Sequence, residues 1–305
     1  MNVASVTPAA ATRAPHRPAL GLSLGLLGVI AFSLTLPMTR YAVAALDPWF
    51  LAFARMSIAG AISALLILVT GVRRPAREDW PLVAWTAVGV VIGFPLLSSL
   101  AMKHIPANHG AIINGALPFA TAVLAALWFG ERHSRRFWLC AVAGSALVIA
   151  FALRGGGADA FGFGQAAMLG AVAICAVGYA AGGRLSARLG GIAVILWALA
   201  VALPVTAPIA LALVWDTPPH ASALSWAAFG YVTLISQLIG FFAWYNGMAL
   251  GGIARVGQVQ LLQAFFTIGF AALLFGERVE PTTWLYAAAV VATIAIGRTR
   301  PRTKA

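Results

Sequence analysis

One six-residue stretch of the chain occurs twice with little change: Leu127-Trp128-Phe129-Gly130-Glu131-Arg132 is followed, 146 positions later, by Leu273-Leu274-Phe275-Gly276-Glu277-Arg278. The same offset aligns further residues: Trp80 with Trp226, Met102 with Met248, Asn114 with Gln260, Thr121 with Thr267, and Trp138 with Trp284. One such match can arise by chance, whereas a constant offset across several segments indicates an internal duplication. The sequence therefore predicts two copies of one structural unit.

The composition indicates that lipid is the main solvent of this protein. Hydrophobic residues make up 61% of the 305 residues and charged residues only 9%, whereas soluble domains carry about 25% charged residues. Ten stretches of seventeen or more residues contain no Asp, Glu, Lys or Arg, and they are 18–39, 56–72, 80–102, 104–130, 137–153, 160–183, 189–215, 217–254, 256–276 and 281–297. A bilayer-spanning helix needs about 20 apolar residues. The polar stripes of a large soluble helical core and the two-residue alternation of a membrane barrel are both missing, so we predict membrane-spanning helices.

The position of the basic residues explains the net charge of +12 better than a nucleic-acid partner does. If the spans are numbered from a cytoplasmic N-terminus, fifteen Lys and Arg residues lie inside, four lie outside, and Arg55 lies within a span. The inside residues are Arg13, Arg17, Arg73, Arg74, Arg77, Arg132, Arg135, Arg136, Arg184, Arg188, Arg255, Arg298, Arg300, Arg302 and Lys304, and the outside residues are Arg40, Lys103, Arg154 and Arg278. This positive-inside bias predicts that both tails, 1–19 and the basic 298–305, are cytoplasmic.

Each copy then contains five spans, over residues 20–153 and 163–297. A unit with an odd number of spans enters the membrane upside down the second time. We therefore predict an all-α integral membrane protein with ten transmembrane helices in two inverted five-helix repeats. If the two copies can exchange conformations, a cavity open to one side becomes open to the other, which is alternating access.

The fourth span, from Ala107-Asn108-His109-Gly110 through Leu117-Pro118-Phe119 to Gly130-Glu131, resembles the drug/metabolite transporter superfamily, specifically its EamA-type members. Members carry two five-helix units in which the fourth helix has a Pro in mid-span and a Gly-Glu pair near its end. The second pair here is Gly276-Glu277, although Ala264 stands where the first copy has Pro118, so we expect a smaller kink in the second copy. The resemblance implies an exporter of small organic metabolites in the cell inner membrane.

Polar residues inside the spans are the candidate substrate-binding residues, because such side chains are costly in lipid and tend to face a cavity. Asn114, Pro118 and Thr121 share one helix face at spacings i, i+4 and i+7. The ninth span has a similar polar face formed by Gln260, Gln263 and Thr267, at spacings i, i+3 and i+7. We predict that the two stripes face each other across the substrate site; hydrogen bonding between packed helices is the alternative.

Gln237 and Trp244 in the eighth span and Tyr179 in the sixth complete the predicted substrate-binding set, and Pro37 and Pro118 are the predicted helix hinges. Anchoring at the membrane interface is the alternative role for Trp244. We expect the neighbouring Gly178 and Gly182 to permit close helix packing.

The charged residues near the spans leave two alternatives open. Arg40, at the outer end of the first span, and Arg55, within the second, either attract a substrate carboxylate, or extend to the interface or pair with Asp47. We expect Glu131 and Glu277 to tie loops to neighbouring Arg residues. Because no Asp or Glu lies near the centre of a span, a zwitterionic, anionic or neutral solute is favoured over an amine.

Together these patterns predict a secondary transporter that exports an amino acid or related solute by alternating access, with the bilayer and a small-molecule solute as its partners. An intramembrane lipid-modifying enzyme is one alternative, but it needs clustered catalytic Asp, Glu or His, which the spans lack. A non-transporting scaffold or receptor is another. The sequence has no metal-ligand spacing and no phosphate-binding loop, so we expect no enzyme activity, cofactor, metal, nucleic acid or obligate protein partner. Cys140 and Cys175 fall inside spans, and we expect no disulfide between them.

Overall fold

A computed structural model describes residues 18–129, 134–152, 162–216, 219–251 and 259–297. These residues form helices joined by short connections, with no strand among them. The helices are α1 (Pro18–Ser33 and Thr35–Ala42), α2 (Pro48–Thr70), α3 (Arg77–Asp79, Trp80–Thr86, Ala87–Gly93 and Phe94–His104), α4 (Ala107–Asn114 and Leu117–Phe129), α5 (Arg135–Ala152), α6 (Phe163–Leu189), α7 (Gly191–Asp216), α8 (Ala223–Gly230, Tyr231–Ile239 and Gly240–Gly251), α9 (Gln260–Leu262 and Gln263–Phe275) and α10 (Pro281–Gly297).

Seven of these helices, α1 to α4 and α6 to α8, are long and apolar enough to cross a membrane. The other three are shorter, with 18 residues in α5, 13 in the α-helical part of α9 and 17 in α10. Large apolar side chains such as Leu68, Leu211 and Leu273 are exposed on the bundle surface. A surface of this kind suits the hydrocarbon core of a bilayer better than water.

Helix α2 begins and ends at clear local signals. The Asp47 carboxylate accepts hydrogen bonds from the N–H groups of Trp49 and Phe50 at 2.9 and 3.0 Å, and Pro48 occupies the first helical position. Both features stabilise a helix start. The Asp47 carboxylate is bound at the start of α2, whereas Arg55 lies two turns further along the helix. The alternative in which Arg55 pairs with Asp47 is therefore wrong.

Several helices are irregular at well-defined places. The middle parts of α3 and α8, Ala87–Gly93 and Tyr231–Ile239, are π-helical. Helix α4 is interrupted at residues 115–116, and the corresponding start of α9 winds more tightly as the turn Gln260–Leu262. Pro118 is the second residue after the interruption in α4, where its missing N–H removes no helical hydrogen bond.

The helices pack in defined pairs, which are α2 with α7, α1 with α8, α3 with α6, α5 with α10, α4 with α9, α4 with α6 and α1 with α9. Glycines permit the closest approaches. A Cβ added to Gly178 would lie 2.8 Å from the Val90 backbone nitrogen, and one added to Gly247 would lie 2.6 Å from that of Gly25. The packing role predicted for Gly178 is therefore confirmed at the crossing of α6 and α3.

Candidate functional site

A narrow buried cavity lies in the middle of the bundle, between helices α1, α2, α3, α4, α6, α8 and α9. Its volume is about 40 Å³, enough for a few water molecules. Its lining consists of Phe32, Thr35, Leu36, Arg55, Val90, Phe94, Asn114, Leu117, Cys175, Tyr179, Ser236, Gln237, Phe241 and Gln263. The two π-helical stretches contribute Val90, Ser236 and Gln237, in keeping with the frequent occurrence of π-helical turns at functional sites.

The most unusual lining residue is Arg55, whose side chain is 1% exposed. It lies seven residues after the first residue of α2, about 10 Å along the helix axis at about 1.5 Å per residue. Arg55 Nη2 donates a hydrogen bond to Gln237 Oε1 at 2.7 Å. Within the described parts of the chain, Arg55 Nε and Nη1 and Gln237 Nε2 have no hydrogen-bond partner.

Other polar groups of the cavity come from helices α1, α4 and α8. Asn114 ends the first part of α4, and its Oδ1 is buried without a hydrogen-bond partner among the described residues. Thr35 Oγ1 and Ser236 Oγ lie 2.7 Å apart and join α1 to α8 by a hydrogen bond. Burying a polar atom without a hydrogen-bond partner costs about 1–3 kcal/mol of free energy relative to water. The unpartnered atoms of Arg55, Asn114 and Gln237 therefore mark places where a ligand or water can bind favourably.

Aromatic rings form the apolar side of the cavity. The rings of Phe32 and Phe241 have centroids 4.9 Å apart, and the ring of Tyr179 lies 6.4 Å from that of Phe241. Trp244 packs behind them, with its ring 6.4 Å from that of Phe32, and it is 4% exposed. Trp244 is therefore buried in the bundle and does not anchor at the interface.

A second cavity of about 20 Å³ adjoins the first. Asn114, Pro118, Gln260, Gln263 and Thr267 line it, together with apolar residues. The two polar stripes that the sequence predicts on α4 and α9 therefore do meet at one place, since Asn114 and Gln263 line both cavities.

The predicted site residues thus separate into two groups. Asn114, Tyr179, Gln237 and Gln263 line the central cavity, and Gln260 lines the smaller one. Thr121 and Trp244 line neither cavity: the hydroxyl of Thr121 donates to the backbone carbonyl of Leu117 in its own helix. Pro37 is buried in α1 three residues after the break at Leu34.

Sequence reasoning assigned Arg55 no definite place in the site, although a signal was present. The pair Asp47-Pro48 is typical of a helix start, and counting from it places Arg55 two turns inside α2. Thr35 and Ser236 were missed because single hydroxyl residues occur in many membrane helices, where they bond to their own backbone or to a neighbouring helix.

The second Gly-Glu pair also has a different role from the one predicted. Gly276 ends α9 in the left-handed conformation, with a φ angle of 64°. The Glu277 carboxylate accepts hydrogen bonds from the N–H groups of Ala107 and Asn108, at 2.8 and 3.0 Å. Glu277 therefore caps the first turn of α4, where a negative charge also interacts favourably with the helix dipole. Glu131, in the first pair, lies outside the described residues.

A wider depression of about 440 Å³ lies at this end of the bundle, lined by charged and apolar residues. Its charged residues are Arg40, Lys103 and Glu277. Arg40 donates to the backbone carbonyls of Met102 and Lys103, and Lys103 Nζ donates to that of Val43 at 3.0 Å. These bonds hold the ends of α1 and α3 together.

The structure shows no group of three or more potential metal ligands within its described ranges. Both cysteines are free. The chemistry of the site is therefore that of one guanidinium, several amides and hydroxyls, and a set of aromatic rings, which can bind a small polar solute.

Comparison with known proteins gives concordant results. The model of the EamA-like transporter family matches residues 19–153 and again 162–297. An "Uncharacterized transporter YdeK" of Bacillus subtilis (strain 168) is 44% identical over 274 residues, covering 88% of this chain and 93% of that protein. A "Probable terminal-alkyne amino-acid exporter" of Streptantibioticus cattleyicolor is 27% identical over 256 residues, covering 80% and 84% respectively.

A solved crystal structure of a protein supports the fold. It superposes with a TM-score of 0.63 over 92% of this chain and 96% of that chain, at 19% sequence identity. The family model matches the chain twice, and the two matches together cover nearly all of it. The apolar helices show that the chain is a multi-pass membrane protein. The chain belongs to the EamA-like transporter family, within the drug/metabolite transporter superfamily.

Proposed function

We propose that this protein is a secondary transporter that exports a small organic metabolite, an amino acid or a related zwitterionic, anionic or neutral solute, by alternating access. The observation that carries this proposal is the buried central cavity, whose polar lining comes from helices of both halves of the chain. Polar and ionisable groups within a membrane-spanning bundle typically mark a substrate path. The name of the relative in Streptantibioticus cattleyicolor supports an amino acid as solute.

The proposed architecture is ten transmembrane helices in two inverted five-helix repeats, 20–153 and 163–297. Matching irregularities support it: the π-helical stretches of α3 and α8 lie at equivalent repeat positions, and so do residues 115–116 of α4 and the tight turn that begins α9. The helix pairs support the repeat as well. If each helix is replaced by its counterpart in the other half, the pair α1–α8 becomes α6–α3 and the pair α4–α6 becomes α9–α1, and all four pairs are observed.

Alternating access requires a change from the observed arrangement, because the central cavity is narrow, with a volume of about 40 Å³ that holds only a few water molecules. The breaks in α1 and α4 are suitable places for it. Pro37 and Pro118 lie just beyond these breaks, and transporter sites are commonly built around discontinuous helices. We propose both as hinges.

We further propose that the protein lies in the cell inner membrane with both termini in the cytoplasm. Arg188 Nη1 lies 3.0 Å from Asp79 Oδ1 and 3.4 Å from Glu78 Oε1, and Trp197 donates to the backbone carbonyl of Arg73. These contacts join the ends of the helices that the positive-inside bias assigns to the cytoplasm.

A lipid-modifying enzyme is disfavoured because the acidic residues that the structure describes do not line the cavity. Of the eight acidic residues, six are described, and each lies at a helix end or in a connection: Asp47, Glu78, Asp79, Asp216, Glu277 and Glu280. A scaffold is disfavoured because it needs no buried polar cavity.

The test is solute efflux from proteoliposomes that contain the full chain. Vesicles are loaded with a mixture of amino acids, organic acids and amines, and the released compounds are measured by mass spectrometry. We expect at least one solute to leave faster than from protein-free vesicles. Val90→Phe, which fills the cavity, should abolish that efflux, and Val88→Phe, on the exposed face of the same helix, should not. Equal release with and without protein contradicts the proposal.

A further inference from the structure

The buried guanidinium of Arg55 has no negatively charged partner among the described residues. A charge in the membrane interior is stabilised only by a counter-charge, by water or by hydrogen bonds that satisfy it. The one hydrogen bond that it makes to a described residue is to a neutral amide, Gln237. Two of its three nitrogens, Nε and Nη1, make no hydrogen bond to any described part of the chain.

The amide of Gln237 is held in a definite orientation by this bond. Arginine has only N–H donors, so Gln237 must present its oxygen to Arg55 and direct its Nε2 elsewhere. Gln237 Nε2 has no hydrogen-bond acceptor within the described ranges. The Arg55 and Gln237 pair therefore offers a set of donors to the cavity, and a group with two acceptor oxygens and a negative charge matches it.

A lining residue from another helix, Asn114, offers an acceptor to the same cavity. Asn114 Oδ1 is buried, lies at the break in α4, and receives no hydrogen bond from a described residue. The rings of Phe32, Tyr179 and Phe241 line the same cavity. A cavity that combines a carbonyl oxygen with aromatic rings suits an ammonium group.

We propose, on the basis of the transport function proposed above, that Arg55 binds the carboxylate of the exported solute and Asn114 its ammonium group. The solute is then a small zwitterion of the amino-acid type. Its carboxylate supplies the counter-charge that Arg55 lacks, with Gln237 holding the guanidinium in place. An amine without a carboxylate is repelled by the same charge.

This role predicts an unusual combination of effects for Arg55→Gln. Removing an uncompensated buried charge relieves a desolvation penalty, so the variant should melt at or above the wild-type temperature while it loses export. A residue that only supports the fold would show the opposite, a lower melting temperature. The matched control is Arg40→Gln, since Arg40 donates to backbone carbonyls at the helix ends and is not part of the central cavity.

The experiment is untargeted mass spectrometry of the medium of cells that carry the empty vector, the wild type, Arg55→Gln, Arg55→Lys or Arg40→Gln. Every solute that the wild type raises should carry a carboxylate and an amino group. Arg55→Gln should lower the rise at least tenfold, Arg55→Lys should retain part of it, and Arg40→Gln should retain most of it. Melting temperatures of the purified proteins complete the comparison.

A second variant keeps the proposal testable if Arg55→Gln does not fold. Gln237→Glu places a carboxylate at the position of the amide that lies 2.7 Å from Arg55 Nη2. The new carboxylate should form a permanent ion pair with Arg55, and this pair should raise the melting temperature and block export. Export at the wild-type rate by Arg55→Gln or Gln237→Glu, or exported solutes without a carboxylate, would overturn this inference and leave the transport function standing. If the wild type raises no solute, the transport function itself fails.

Discussion

At the scale of single residues, the clearest consequence concerns Asn114, which lies at the contact of the two cavities. We expect Asn114→Leu to keep the fold, because it replaces a buried amide by an apolar side chain of similar size. Efflux of an exported zwitterion from proteoliposomes should fall about tenfold, which corresponds to losing about 1.4 kcal/mol of binding. The control is Thr121→Val, whose side chain lies seven residues further along α4 and lines neither cavity. Equal losses in the two variants would contradict the assignment of Asn114.

Much of the site was predictable from residue types, whereas its most unusual member was not. Asn114, Gln237 and Gln263 were identified because amides are rare in apolar spans, and Asn114 also has an amide counterpart, Gln260, at the repeat offset. Arg55 remained undecided because sequence spacing does not tell a side chain that turns into the bundle from one that extends to the interface. Only the packing of α2 against α7 and α8 decides between these alternatives.

At the scale of elements, the Gly-Glu pair ends one helix and begins another. Gly276 adopts the left-handed conformation that ends α9, and Glu277 then caps α4. We expect Glu277→Gln to destabilise the protein by about 1 kcal/mol, because the capping charge and one of its two acceptor oxygens are lost. The measurement is the melting temperature of the purified protein.

The control for this prediction is Glu280→Gln, since the carboxylate of Glu280 accepts a hydrogen bond from Thr282 at the start of α10, whereas that of Glu277 accepts from the first turn of α4. A smaller effect of Glu277→Gln than of Glu280→Gln would show that the cap contributes little. Sequence reasoning placed Glu277 correctly at a helix end, but it could not identify a partner that lies 170 residues away.

The crossing of α3 and α6 gives a second prediction about elements. A Cβ at position 178 would lie 2.9 Å from the Cα of Gly89, so Gly178→Ala should force the helices apart and destabilise the protein by about 1–3 kcal/mol. Gly183→Ala is the control in the same helix, because no neighbouring atom within the described ranges lies within 4 Å of the added Cβ. Alanine favours a helix over glycine by about 1 kcal/mol. Thermal unfolding of both variants should therefore give shifts of opposite sign, and shifts of the same sign would contradict this packing.

Helix positions were easier to predict than helix ends. Charge-free stretches located the segments, but the stretch 56–72 misses the first two turns of α2, since counting charges treats Arg55 as a boundary. The irregular turns also went unpredicted in α3 and α8, because a π-helical stretch depends on packing and has no distinctive sequence.

At the scale of the whole molecule, the duplicated unit determines which side each end of the chain faces. Two five-helix units in succession bring both termini to the same side. Accessibility labelling of tags on the two ends, in intact cells and in inverted vesicles, should show both in the cytoplasm. Termini on opposite sides would exclude a ten-span topology with inverted repeats.

The central claim is that one cavity in the middle of the bundle opens to each side in turn. Cys175 lines this cavity, and it becomes the only cysteine of the chain in the variant Cys140→Ser. The direct measurement is the reaction of Cys175 with a small membrane-impermeant thiol reagent, applied to the outer face in spheroplasts and to the cytoplasmic face in inverted vesicles. Alternating access predicts labelling from both faces, reduced in each case by an exported solute. Labelling from one face only, or from neither, would contradict it.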